Sequence, residues 1–257
     1  MYHTHIKHVI KKIKKGKKMR LKIECILEEN FVCLDYRRSI LSFIKKSLEN
    51  YSEEIKKKYY DEYKAKDMTF ACYFPIEKIE NNQINLTNNI FAIFLSFDSI
   101  IDGVHFYNAF NIAKRNHIQF NLGKNIFQIK NIVKLQEKDI KEDIATFKTL
   151  SPIVIREQIE EGEKKKEWFH ELDEKGIEVL KRNLCYSLKD KFSIKELENI
   201  EIEVEKSKTS IISFYKIKFP ATNGRITIRG DKKILNYFYR AGIGSKCPSG
   251  FGLLDLD

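Results

Sequence analysis

The chain has 257 residues, 42% of them hydrophobic, and carries 47 lysines and arginines against 36 acidic residues, a formal net charge of +11. That is enough apolar material for one large core or two cores of roughly 100 to 150 residues. No run of eighteen apolar residues is present, which excludes a transmembrane helix, and the basic start lacks the apolar stretch of a secretory signal. Five cysteines, odd in number and without C-x-x-C spacing, read as the reduced thiols of a cytoplasmic protein and argue against a zinc site.

Residues 1–18 form a basic extension with seven lysines and no acid, in which Ile6, Val9, Ile10 and Ile13 recur at helical spacing. It reads as a solvated arm or as a surface for RNA or membrane. Without it the chain holds 40 basic and 36 acidic residues. Any affinity for a polyanion must therefore come from where charges sit, because a net of +4 gives only weak non-specific attraction.

Residues 19–135 read as strand, helix, strand, strand, helix, strand. Leu21, Ile23, Cys25 and Leu27 alternate with mostly charged neighbours, the pattern of a half-buried strand. After Asp35, the apolar residues Ile40, Leu41, Ile44, Leu48, Tyr51 and Ile55 follow a helical period. Met68 to Phe74 and Ile90 to Phe97 make two strands, with turns at Asn81-Asn82 and 87–89. A helix follows over Ile100 to Lys114, then strands over Ile118 to Leu135 around Gly123-Lys124-Asn125. This is the ferredoxin-like order.

The charged stretch 136–146 reads as a linker, and residues 147–257 repeat the order more loosely. A strand is expected over Phe147 to Arg156 and a helix over Glu174 to Leu188, with 158–173 irregular between them. Strands follow at Ile200 to Glu205 and Ser210 to Phe219, a turn at Asn223-Gly224, a strand at Arg225 to Arg229, and a helix from Asp231 through Tyr239. The expected fold class is α+β, with two tandem ferredoxin-like (RRM-like) domains.

Three constellations carry candidate chemistry. Arg38, Ser42 and Lys45 stand at i, i+4 and i+7 on the first helix, with Arg37 and Lys46 at the margins, so they share a face; a solvated helix face has the same appearance. Arg225, Thr227 and Arg229 point to one side of a strand, a cationic ribbon beside Tyr215 and Phe219, or else the solvent side of a sheet. The loop Gly242-Ile243-Gly244-Ser245-Lys246-Cys247-Pro248-Ser249-Gly250-Phe251-Gly252 concentrates glycines beside a lysine and two hydroxyls. Such a loop either turns the chain or brings backbone N–H groups close to a phosphate.

Gly-x-Gly-x5-Gly-Phe-Gly before a short last strand resembles the signature loop of the RAMP superfamily, most closely its CRISPR repeat-processing endoribonucleases. Phe147 to Arg156 resembles the opening of that family's second domain; Met19 to Ile23, Tyr36-Arg37-Arg38 and Met68 to Phe74 resemble parts of its first. The resemblance implies a partner, CRISPR repeat RNA within its precursor transcript, and no metal, cofactor or membrane. It also implies attack of a ribose 2′-OH on the adjacent phosphate, leaving 2′,3′-cyclic phosphate and 5′-hydroxyl ends. The alternatives are a catalytically inactive repeat-binding protein and a structural subunit of a CRISPR effector complex. Family members often place a histidine after the first helix, where this chain has none, so Tyr59 or Tyr60 is the expected base, with Lys45 and Lys46 neutralising the phosphate. Arg37, Arg38, Arg225, Arg229, Gly242, Gly244, Ser245, Lys246 and Gly250 are the expected RNA-binding residues. His105, His117 and His170 show no partnered catalytic arrangement in the sequence.

Overall fold

The computed structural model describes residues 19–61, 66–161 and 164–257; the basic extension expected over 1–18 lies outside them. The first half contains β1 (Met19–Leu27), β2 (Phe31–Cys33), α1 (Tyr36–Tyr51), α2 (Glu53–Tyr60), β3 (Met68–Tyr73), β4 (Ile76–Glu80), β5 (Gln83–Leu86), β6 (Ile90–Phe97), α3 (Ile100–Arg115), β7 (Phe120–Leu122) and β8 (Asn125–Leu135). Its main sheet runs β3-β6-β1-β8-β7, the ferredoxin-like order with an added edge hairpin. Leu21, Ile23, Cys25 and Leu27 face the core under α1 and α3, as their alternation predicts, and Phe43 of α1 stacks on Phe110 of α3 with ring centres 5.2 Å apart. The helical period read through Ile55 is broken at Ser52, whose hydroxyl accepts from the Ile55 N–H and caps α2.

The second half contains β9 (Ile144–Thr149), β10 (Ile155–Glu161), β11 (Lys164–His170), α4 (Glu174–Leu188), α5 (Ile194–Glu198), β12 (Glu201–Phe214), β13 (Ile217–Arg229), α6 (Lys232–Ala241) and β14 (Leu254–Leu256). The sheet order β12-β13-β9-β14 is again ferredoxin-like. Two expectations are corrected here. The strand read over Phe147 to Arg156 stops at Thr149, and β10 pairs instead with β11, so the stretch read as irregular holds a hairpin. The turn expected at Asn223-Gly224 lies at Tyr215-Lys216, both with positive φ. Gly224 sits within β13 beside the bulge between Val204 and Lys206, where a β-carbon would run into the Lys206 carbonyl. The glycine serves a close backbone approach, and not the turn that Asn-Gly usually signals.

The two halves are joined by polar side chains set in apolar surroundings. On the outer face of the first sheet, Thr69, Ser96 and Arg20 form one cross-strand row. Thr69 donates to the Phe251 carbonyl at 2.7 Å; Arg20 pairs with Asp255 at 3.1 Å, donates to the Leu254 carbonyl and lies 4.1 Å over the Tyr239 ring. Asp98 holds Arg240 at 2.9 Å, and Asp67 accepts from the Tyr237 hydroxyl at 2.6 Å. The connection between β8 and β9 is itself anchored, since both backbone polar groups of Ile140 bond the Asn236 side chain. No helix among the described residues is long and apolar enough to cross a membrane.

Candidate functional site

The glycine loop leaves α6 and folds back on its own neighbours before β14. Ser245 donates its N–H to the Val154 carbonyl at 2.7 Å, Gly252 to Pro152 at 2.8 Å, and the Ser245 hydroxyl accepts from the Arg156 N–H at 3.3 Å. Gly250 has φ +87, and a β-carbon there would enter the Phe70 ring at 2.5 Å. Gly244 has φ +90, and its β-carbon would lie 2.7 Å from the Val154 carbonyl. This corrects the expectation that the glycines clear room for a ligand: the close approach is made by the chain's own backbone and by the first domain. Gly242 and Gly244 still present backbone to a cleft, as do Ser245 and Lys246.

That cleft has a volume of about 820 Å³ and lies between the loop on one side and α4 on the other. Five cations border it: Lys66, Arg156, Arg182, Lys191 and Lys246. Arg156 is held by Glu167 at 2.7 Å, Arg182 by Glu157 at 2.5 Å and Lys191 by Asp67 at 2.5 Å. Lys66 and Lys246 instead lie over rings, 4.1 Å from the Tyr60 centre and 5.9 Å from the Phe169 centre. Burial first, and a neighbouring cation second, push both amines below the ordinary lysine value; the neighbour is Lys45 for Lys66 and Arg156 for Lys246. Partly buried ammonium groups crowded by like charge are what an incoming phosphate relieves.

Next to the cleft, the exposed face of α1 meets the tip of the β12–β13 hairpin. Arg38 stacks 4.9 Å over Tyr215, and Lys45 approaches the face of Tyr60 at 5.6 Å, so Tyr60 has both Lys45 and Lys66 over its ring. The arrangement sets two ammonium groups, one of them partly buried, over a single aromatic ring.

Residues 135–256 match the family model described as CRISPR associated protein Cas6, C-terminal. The second half of the chain is thus similar to the Cas6 C-terminal region. The resemblance read from the glycine loop is thereby borne out. A Pyrococcus furiosus protein named as a CRISPR-associated endoribonuclease-like protein Cas6 is 29% identical over 143 residues, 54% of this chain and 58% of that relative. A solved structure of a Cas6-related gene product from the same organism superposes with a TM-score of 0.80 at 22% identity, covering 94% of this chain and 99% of that one. A second, described as an RAMP protein binding different RNA substrates, gives 0.78 at 20% identity, over 93% and 99%. These likenesses bear out the two ferredoxin-like units.

Within this fold several expected site residues have other occupations. Arg37 is buried, donates to the Gly250 carbonyl at 3.2 Å and lies between the Tyr36 and Phe251 rings, so it docks the two halves and is closed to a ligand. Tyr59 is 7% exposed, packed edge-on against Phe106, and its hydroxyl has no hydrogen-bond partner of good geometry. Burial, then the nearby Asp102 carboxylate, push its phenol far above the usual value, which removes it as a base. Tyr60 is raised as well, by burial and then by Tyr215, so it too is corrected as a base, and its ring is what Lys45 and Lys66 meet. Lys46 turns to Glu49 at 2.7 Å.

Arg225 is neutralised by Glu205 and Asp257, each at 2.9 Å. Arg229 is exposed, but it and Arg225 lie roughly 30 Å and more along β13 from the hairpin tip at about 3.3 Å per residue. The cationic ribbon and the aromatics Tyr215 and Phe219 therefore do not form one surface, and Phe219 is buried against Phe169. Of the histidines, His105 contacts the Tyr51 hydroxyl at 3.3 Å, His170 pairs with Glu157 at 2.7 Å, and His117 sits just past the end of α3. Sequence reasoning missed Arg156, Arg182 and Lys191, and reached Lys66 only as one of the lysines beside the tyrosines of 50–70. They come from four separate segments, and only the fold gathers them; the one sequence-level signal was the density of lysines and tyrosines over 50–70.

Proposed function

We propose that this chain binds the repeat of CRISPR precursor transcripts over the cleft and the α1 face, and cuts within it by attack of a ribose 2′-OH on the neighbouring phosphate. In this reading the Lys66 amine takes the 2′-OH proton as the O2′–P bond forms. Lys45 neutralises the phosphate, and the P–O5′ bond breaks as its oxygen gains a proton from the Lys45 ammonium or the Tyr60 hydroxyl. The products are a 2′,3′-cyclic phosphate and a 5′-hydroxyl. Lys246 and the backbone of Gly244 hold the flanking phosphates. The proposal places the chain in the cytoplasm and assigns it no cofactor.

The observation that carries this reading is the pair of lysines over one tyrosine ring, with Lys66 partly buried and crowded by Lys45, so that its amine loses a proton more readily than an ordinary lysine. The test is incubation of the protein with its repeat RNA in EDTA. Cleavage should persist, leave the cyclic phosphate, and vanish when the nucleotide 5′ of the cut is 2′-deoxy. Activity lost in EDTA and restored by magnesium would overturn the mechanism. Tight binding without any cut would make the chain a catalytically silent repeat-binding protein.

A further inference from the structure

The wall of the cleft that faces the glycine loop is α4, and its exposed side is patterned. Arg182, Tyr186 and Lys189 stand at i, i+4 and i+7, so they follow one another along one face, opposite the buried Leu180, Leu184 and Leu188. That face is fixed in place: Arg182 pairs with Glu157 of β10, and the Asn183 side chain donates to the Arg156 carbonyl at 2.7 Å. Tyr186 lines the cleft yet is 78% exposed, the highest exposure of any large apolar side chain among the described residues. The Lys189 amine lies 4.9 Å from its ring centre, a cation over an aromatic face. A lone exposed tyrosine carries no meaning by itself. Here the ring stands between two cations one turn away on either side, at the mouth of a basic cleft.

We infer that Tyr186 is a stacking platform for an unpaired base, and that the RNA segment crossing this part of the cleft is single-stranded. The inference rests on the RNA-binding half of the function proposed above and is independent of cleavage. Arg182 and Lys189 are spaced to meet phosphates on either side of the stacked nucleotide, while Lys246 and Ser245 face it from the opposite wall. Lys189 covers one face of the ring and leaves the other to the base. The cleft, of about 820 Å³, has room for an unpaired nucleotide or two beside the ring. In an A-form duplex the bases are stacked inward, and the groove edges offer no face to an aromatic ring.

The test is equilibrium binding of fluorescein-labelled repeat RNA, as a single strand and annealed to its complement, to the full chain and to Tyr186→Ala and Tyr186→Phe. Tyr186→Ala should weaken single-strand binding about 5- to 150-fold, the range for one lost base stack. Tyr186→Phe should bind like the parent, and neither change should alter the slope of affinity against salt, since no charge is removed. Binding of the annealed RNA should be indifferent to position 186. Because the ring is exposed, all variants should melt with the parent by circular dichroism. Single-strand binding unchanged in Tyr186→Ala, while Lys246→Ala still weakens it, would overturn the platform and leave RNA binding standing. Equal loss on single and annealed RNA would also overturn it. A parent that binds neither form would overturn both this inference and the function on which it rests.

Discussion

Lys66 shows how one side chain acquires chemistry that its identity alone does not give. Its amine is half-buried against Tyr60 and shares that ring with Lys45, so the charged form loses water and gains a like-charged neighbour. Both effects lower its pKa. A base must be unprotonated, so cleavage should rise with pH through that lowered value and level off before the ordinary lysine range. Lys45→Met removes the neighbouring charge, so the rising limb should move to higher pH, a shift that single-turnover rates across a pH series would report. Lys66→Arg keeps charge but cannot yield its proton near neutrality; it should cut about 10²-fold or more slowly with RNA affinity little changed. Tyr59→Phe should leave the rate at the parental value, because its hydroxyl faces the core.

At the scale of an element, the β10–β11 hairpin is held against α4 by the Asn183 amide on the Arg156 carbonyl and by one carboxylate. Glu157 accepts from Arg182 and pairs with His170, and the Arg182 bond, more than the His170 bond, pulls its pKa below 4.5. A depressed carboxylate stabilises the folded form above its unfolded value. That contribution is lost as pH falls below about 4.5 and through the lower folded value. Trp168, the single tryptophan, lies on β11 opposite Glu157. Its fluorescence should therefore report a loosening of the hairpin in acid before the sheets unfold, and Glu157→Gln should show the same signal at neutral pH. The hairpin's existence was hidden in the sequence because Ser151-Pro152 ends the strand that the apolar run predicts, and the alternating charges of 156–167 read as solvent-facing loop.

For the whole molecule, the decisive contacts are those that fix one ferredoxin-like unit on the other. Arg20, with 6% of its side chain exposed, bonds Asp255 and the Leu254 carbonyl; Gly250 gives way to Phe70, and Arg37 reads the Gly250 carbonyl. Arg20→Ala removes an ion pair and a backbone hydrogen bond from between the two halves, and calorimetry should show the single unfolding transition lowered or split in two. Gly250→Val strains a positive φ and collides with Phe70. It should lower the melting temperature, and any loss of RNA binding should track that loss of fold. A Gly250→Val protein that melts with the parent but fails to bind RNA would return the loop to the role of direct ligand contact.

The sequence by itself determined the two ferredoxin-like units, because alternation at Leu21 to Leu27 and helical spacing at Ile40 to Leu48 are local consequences of burying one face. It also determined the Cas6 resemblance, because the glycines must recur where positive φ and close packing recur. The fold alone decided what the basic and aromatic residues do. Arg37 and Arg38 are adjacent in the chain, yet one is enclosed between Tyr36 and Phe251 while the other lies over Tyr215 at the surface. Lys66, Lys246 and Tyr186 come together from three distant segments. Charge and ring type are written in each residue, but burial, neighbouring charge and the width of the cleft arise only when the two halves close on each other, and those quantities set the pKa values and the contacts available to RNA.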